Sequence, residues 1–201
     1  MWVKVCGMTR VVDVEHAVAA GADAVGFVIA ENSKRRVDAD MLERLVAVAG
    51  EATTVLVSAN QEPADVVDLA LRIGMDWVQP HGSSQDQVIA SAMSVGLAVL
   101  VPVGVDSAVS PVDNVPASVP LLLDTKVRGQ DGGTGVTFDW TLARGIDRRF
   151  VLAGGLGPAN VADAIAAAQP WGVDAVTLLE AAPGVKDHTK VTDFIRKAKG
   201  L

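Results

Sequence analysis

Cys6 is the sole cysteine of the 201 residues. It stands where the apolar run WVKVC meets Gly7. A thiol in that position is either a small buried hydrophobe or, as thiolate, a base or nucleophile, since free cysteine titrates at about 8.5. Asp124 poses a similar choice. It closes the run LLLD, so three leucines lead into a carboxyl. Such a group caps the loop that follows, or it serves a functional role at the end of a buried run. Other polar groups stand behind other apolar runs: Ser33, Arg35 and Arg36 in ENSKRRV, Gln79 and His81 in VQPHG, Thr177 and Glu180 in VTLLE. His81 precedes a glycine in a turn, where an ordinary turn histidine and a working one are equally good readings.

Two glycine-bearing stretches carry a different chemistry. GGLGPANVADAI begins with Gly154 and Gly155 after an apolar run, and Pro158 suits the first turn of a helix. Free N–H groups at a helix start bind anions, and glycine lets a phosphate come close. We read Gly154 and Gly155 as a phosphate cradle rather than a tight turn alone. In GQDGGTGVTFDW three glycines fall within four residues, which fits a lid or a plain flexible loop. Metal-spaced His/Cys clusters, G-x-S-x-G and the P-loop lysine motif are absent from the sequence, so no metal is expected.

These residues need a frame that brings them together. Eight short apolar runs recur: WVKVC, AVGFVI, TTVLVS, DWVQP, LAVLVPV, PLLLD, RRFVLA and DAVTLL. Each is nearly continuous rather than alternating, as parallel strands buried on both faces are. Alanine-rich segments with helical spacing separate most of them: VVDVEHAVAA, ADMLERLVAVA, PADVVDLALRI, SQDQVIASAMSV and PANVADAIAAAQ, with KVTDFIRKAKG at the end. A weak repeat, G-x-D-x-V at Gly21, Gly74 and Gly172 and a shorter GLAV at Gly96, marks a helix stop at a left-handed glycine. The pattern predicts an α/β fold, a single (β/α)8 TIM barrel spanning residues 1–201. The proline-rich VDSAVSPVDNVPASVP makes helix five short or missing. In such a barrel the polar groups that end strands share one rim, which argues for an enzyme. Lys4 shares strand parity with Cys6 and is expected to point inward, paired with a carboxylate.

A net charge of −7 and a pI near 4.9 argue against nucleic-acid binding, which needs a basic footprint. No basic amphipathic segment suggests a membrane surface, and no apolar run is long enough to cross one. One cysteine makes no internal disulfide. With no signal-peptide pattern at the N-terminus, a cytoplasmic location is expected.

In order along the chain, KVCGMT, GADAVGFV, SKRRV, VQPHG, LLLDT, GGTG with FDW, LAGGLGPANV and PGVKD resemble the phosphoribosylanthranilate isomerase family of tryptophan biosynthesis. The likeness runs from Lys4 to about Phe194. It implies a cofactor-free Amadori rearrangement of N-(5-phosphoribosyl)anthranilate to the 1-deoxyribulose 5-phosphate. It also implies a phosphorylated small-molecule substrate and a monomer or homodimer. By position, the resemblance makes Asp124 the general acid, Cys6 the general base and Arg35 the partner of the anthranilate carboxylate. It makes Gly154 and Gly155 phosphate ligands, with His81 and Thr177 also at the substrate. An acid in that role needs a raised pKa, which burial and a nearby phosphate would supply.

One segment departs from the family pattern. Where members carry DVSSGVE, this chain reads DAVTLLE, with Val176 and Thr177 for the serines and Leu178 for the glycine. This implies a reshaped phosphate site. It leaves open a paralogue acting on another phosphorylated aminosugar, or a non-catalytic binder of phosphorylated metabolites.

Overall fold

The computed structural model describes residues 1–105, 115–125 and 138–201. Nine strand segments form one sheet: β1 (Trp2–Val5), β2 (Ala24–Val28), β3 (Thr53–Ala59), β4 (Trp77–His81), β5 (Ala98–Val99), β6 (Val101–Val105), β7 (Leu121–Thr125), β8 (Phe150–Leu152) and β9 (Gly172–Ala175). The described pairings between them are parallel. Their order is β5-β4-β3-β2-β1-β9-β8-β7-β6, so the two outer segments are consecutive pieces of chain, separated by Leu100 alone. The Leu100 N–H donates to Val78 O of β4 at 2.9 Å, and the Val101 N–H donates to Pro120 O, ahead of β7, at 3.1 Å. Successive amides of one strand thus reach opposite neighbours, and the sheet closes on itself. With 98–105 counted as one strand, the barrel has the eight strands read from the apolar runs.

Among the described residues six helices pack outside: α1 (Val11–Ala19), α2 (Ala39–Val46), α3 (Pro63–Ile73), α4 (Gln85–Ser94), α5 (Val161–Ala168) and α6 (His188–Lys199). Local chemistry sets several ends. The Asp38 carboxylate accepts from Met41 N–H at 2.9 Å to cap α2, and Pro63 opens α3. Asp187 caps α6 through the amides of Thr189 and Lys190, while Arg196, Lys197 and Lys199 lie in its last turn. Between β6 and β7, residues 115–120 contain no helix. The rest of the segment expected to hold a short or missing helix five, and the GGTG loop, lie outside the described residues. Among the described residues no helix is long and apolar enough to cross a membrane.

Three local expectations are corrected. The eighth apolar run does not remain a strand. At Val176 the chain leaves the extended region (ψ −82°), and Thr177–Leu179 form a 3-10 turn. The apolar residues of this run have different fates: Leu179 is fully buried and Leu178 is 42% exposed. An antiparallel hairpin, β10 (Glu180–Ala182) with β11 (Val185–Lys186), follows. Pro158 lies ahead of α5, which starts at Val161 with Asn160 as its cap residue. Of the repeated glycines, Gly21, Gly74 and Gly96 have positive φ, but Gly172 does not. Gln169 takes the left-handed position after α5 instead, and Gly172 lies in β9, where a Cβ would come within 2.8 Å of the Trp2 ring.

Most of the core lies between sheet and helices. A smaller cluster of Leu100, Leu122, Val151 and Ala153 packs against Trp2, Trp77 and Trp171. These tryptophans stand at or just before the starts of β1, β4 and β9. They stack on Trp2, with centroids 5.8 and 5.0 Å apart, and the Arg149 guanidinium lies 5.6 Å from the Trp171 ring. They form the floor of the barrel. Residues two and four further along the same strands keep the same facing and lead up to the opposite rim.

Candidate active site

Parity delivers the site. On β1, the inward series Trp2, Lys4, Cys6 ends in the thiol just past the strand. On β4 it is Trp77, Gln79, His81, on β7 Leu122 then Asp124, and on β9 Gly172, Asp174, then Val176. Cys6, Arg35, Gln79, His81, Asp124, Asp174 and Val176 all line one cavity of about 890 Å³. A smaller recess of about 40 Å³ adjoins it, lined by Gly154, Gly155, Leu156, Thr177 and Leu178, and shares Asp124, Asp174 and Val176 with it.

Cys6 is 4% exposed. Gly26 on β2 makes room for it, because a Cβ there would lie 2.5 Å from Cys6 Sγ and 3.1 Å from Lys4 Cε. Burial pushes the thiol above its ordinary pKa, against the pull of the Lys4 ammonium. Lys4 is fully buried, and its Nζ donates to Asp174 Oδ2 at 3.0 Å; this is the inward pair expected for it. Burial alone would lower the Lys4 ammonium, but Asp174 and Cys6 more than offset that and leave it raised.

Asp124 closes β7. Burial pushes its carboxyl up to about 6, with Asp174 adding to the rise, against a hydrogen bond from Thr125 N–H (2.8 Å) that favours the anion. The direction and the leading cause are those expected of a carboxyl ending an apolar strand.

Arg35 lines the cavity with its guanidinium anchored by the chain itself. Its Nε and Nη2 donate to the two Glu180 oxygens at 2.7 Å each, and Nη2 also donates to Thr177 Oγ1 at 3.2 Å. Two sides of the guanidinium are thus held by the chain itself, and Nη1 is the part left for a ligand. Buried Lys186 joins through Glu180 Oε1 at 3.3 Å and Val176 O at 3.2 Å. Burial would raise the Glu180 carboxyl, but the Arg35 hydrogen bonds and the Lys186 charge hold it below its usual value. Burial lowers the Lys186 ammonium. Thr177 thus lines the recess while its hydroxyl accepts from Arg35.

Gly154 and Gly155 have φ of +83° and +63°, two successive left-handed residues that glycine alone adopts without strain. A Cβ on Gly154 would also strike Thr125 Oγ1. Leu178 is accommodated by a second glycine: a Cβ on Gly157 would sit 2.8 Å from Leu178 Cβ. The side chain lies over Gly157, at the edge of the recess. His81 ends β4 with Nε2 2.9 Å from Gln79 Nε2. Sequence reading did not single out Asp174, Lys186 or Gly26. Their weight depends on which strands are neighbours, and β1 lies between β2 and β9.

The chain matches the family model described as N-(5'-phosphoribosyl)anthranilate (PRA) isomerase over residues 3–197. It is 40% identical over 199 residues to the N-(5'-phosphoribosyl)anthranilate isomerase of Solibacter usitatus, covering 99% of this chain and 98% of the relative. The crystal structure of phosphoribosyl anthranilate isomerase from Thermotoga maritima superposes with a TM-score of 0.85 at 34% identity over the whole of both chains. A phosphoribosyl anthranilate isomerase in complex with reduced 1-(o-carboxyphenylamino)-1-deoxyribulose 5-phosphate superposes at 0.83 and 33% identity, again over both whole chains. A closed eight-stranded barrel with thiol and carboxyl on one rim, matched end to end in sequence and structure, belongs to the N-(5'-phosphoribosyl)anthranilate isomerase family.

Proposed function

We propose that Cys6 and Asp124 are the proton-transfer pair of this isomerase of tryptophan biosynthesis, and that Arg35 and the Gly154–Gly155 turn receive the two anionic ends of N-(5'-phosphoribosyl)anthranilate. Asp124, as carboxylic acid, gives its proton to the furanose ring oxygen while the C1–O bond breaks. The anilino nitrogen supplies the electron pair and becomes an iminium. The Cys6 thiolate then takes the proton from C2, and that bond's electrons form the C1–C2 double bond of an enolamine. A proton leaves the 2-hydroxyl and one is added at C1, which gives the ketone. No atom is gained or lost, so no co-reactant is required.

The observation that carries this reading is that the Asp124 carboxyl and the Cys6 thiol line one cavity, and burial there raises the carboxyl to about 6. An acid and a base whose environments set them apart are what the rearrangement needs. Arg35 Nη1 suits the anthranilate carboxylate, with Glu180 holding the fork in place. The recess is lined by two left-handed glycines whose side-chain-free backbone a phosphate can approach closely. Phosphoribosylanthranilate loses its fluorescence on turnover, so the test is direct. The parent protein is expected to turn it over, and Cys6→Ser and Asp124→Asn to do so about 10²- to 10⁴-fold more slowly. Parent-like rates in either variant would overturn the assignment.

A further inference from the structure

Asp174 is buried on β9, 4% exposed, below the rim and between the cavity and the recess. Lys4 occupies one carboxylate oxygen, Oδ2. The other, Oδ1, is buried and has no hydrogen-bond partner among the described residues. A buried polar atom left this way is uncommon and costs stability, and such exceptions concentrate at working sites. A carboxylate oxygen can only accept, so what it lacks is a donor. The two ends of the substrate are anions and would be repelled. The anilino N–H belongs beside the anthranilate ring, on the Arg35 side. With the phosphate in the recess and the reacting carbons beside Cys6 and Asp124, the sugar chain crosses the junction that Asp174 lines. Its donors are hydroxyls. Resting on the reading of Cys6 and Asp124 above, we infer that Asp174 Oδ1 accepts a hydrogen bond from a sugar hydroxyl and makes the enzyme selective for ribosyl over deoxyribosyl substrates. Lys4 supports this by neutralising the carboxylate from the far side and fixing its orientation. Gln79 Oε1, also unpartnered among the described residues, faces the same cavity, but its amide orientation follows the His81 tautomer, so the assignment is confined to Asp174.

The test measures binding, not turnover. The probe is the reduced product, 1-(o-carboxyphenylamino)-1-deoxyribulose 5-phosphate after reduction, with three analogues lacking the hydroxyl at C2, C3 or C4. In the parent, one analogue is expected to bind about 10- to 100-fold more weakly than the full probe. In Asp174→Asn that ratio is expected to shrink to within about threefold, since the neutral amide forms a weaker bond. A ratio taken within one preparation is independent of the fraction folded. Should the single variant leave Lys4 unpaired and fail to fold, Lys4→Met/Asp174→Asn removes the pair together and is expected to show the same collapse. Equal binding of all three analogues by the parent, or a ratio that survives in the variants, overturns the inference. Full turnover in Cys6→Ser would instead overturn the acid–base assignment and leave the hydroxyl ratios standing.

Discussion

The two ends of the barrel interior are built from the same strands and the same inward positions, yet their composition is opposite. At the floor, Trp2, Trp77 and Trp171 stack on one another and on buried aliphatics. At the rim and just below it, Cys6, Gln79, Asp124 and Asp174 gather titratable groups, and polar atoms without a partner among the described residues, around an open cavity. Strand β1 leads from one to the other, with Trp2 four residues before Cys6, and β4 does the same from Trp77 to Gln79 and His81. The floor satisfies its side chains internally and so adds stability. The rim leaves groups desolvated or unpartnered, which costs stability in the absence of ligand. Separation along the strand lets one core do both.

The largest expected effect comes at the rim. Asp124→Asn should cut kcat/KM by about 10²- to 10⁴-fold without loosening the fold. On the proposed assignment, activity in the parent requires protonated Asp124 and ionised Cys6. With the carboxyl at about 6 and the thiol raised from an ordinary 9.0, the pH profile of kcat/KM should be a broad plateau. It should fall on the acid side near pH 6 and on the alkaline side above pH 9. A single limb would sink the two-group account.

Next comes the floor. Trp2→Ala removes the middle ring of the stack and should cost about 3 kcal/mol of unfolding free energy, read by denaturant titration. Its kcat, measured where the variant is folded, should stay within about twofold of the parent. A large fall in kcat would break the comparison between the two ends.

Third, the rim's cost should be measurable as a gain. Asp124 is raised from 3.8 to about 6, so the folded state binds more protons than the unfolded state between about pH 4 and 6. Stability therefore falls as pH rises through that window. Asp124→Asn removes the penalty and should be more stable than the parent above pH 6 by up to about 3 kcal/mol. A variant no more stable than the parent at pH 7.5 would show that the carboxyl is better solvated than its position implies. The smallest effect is expected outside both regions. Arg72 and Glu43 pair at 3.7 Å with both side chains 60% exposed, and Glu43→Ala should change stability by less than about 0.5 kcal/mol.

Much of this was legible from the chain alone, for a physical reason. Parallel strands buried on both faces leave continuous apolar runs, and a polar residue at the end of such a run stands out. Cys6, Asp124, Gln79 and His81 are legible in this way. Lys4 could be read as needing a carboxylate, but not which one, because Asp174 is 170 residues away. The Arg35–Glu180 fork is equally remote, spanning 145 residues, so the sequence did not show that Glu180 anchors the guanidinium. The run VTLL misled because apolar composition marks burial, not extension. Leu179 is buried from within a 3-10 turn as fully as it would be from a strand. Gln169 in place of a glycine after α5 shows the same limit at a helix end, where a non-glycine residue takes a left-handed conformation (φ 53°).

The stacked floor also gives the protein a built-in optical label. The chain has four tryptophans and no tyrosine, and three of those tryptophans lie within one stack at centroid separations of 5.0 and 5.8 Å. Indoles that close couple through their strong far-ultraviolet transitions, so far-ultraviolet circular dichroism should carry a paired band that vanishes when the stack parts. That signal originates at the opposite end of the barrel from the thiol and the carboxyl. It therefore records the integrity of the scaffold independently of whether catalysis is intact.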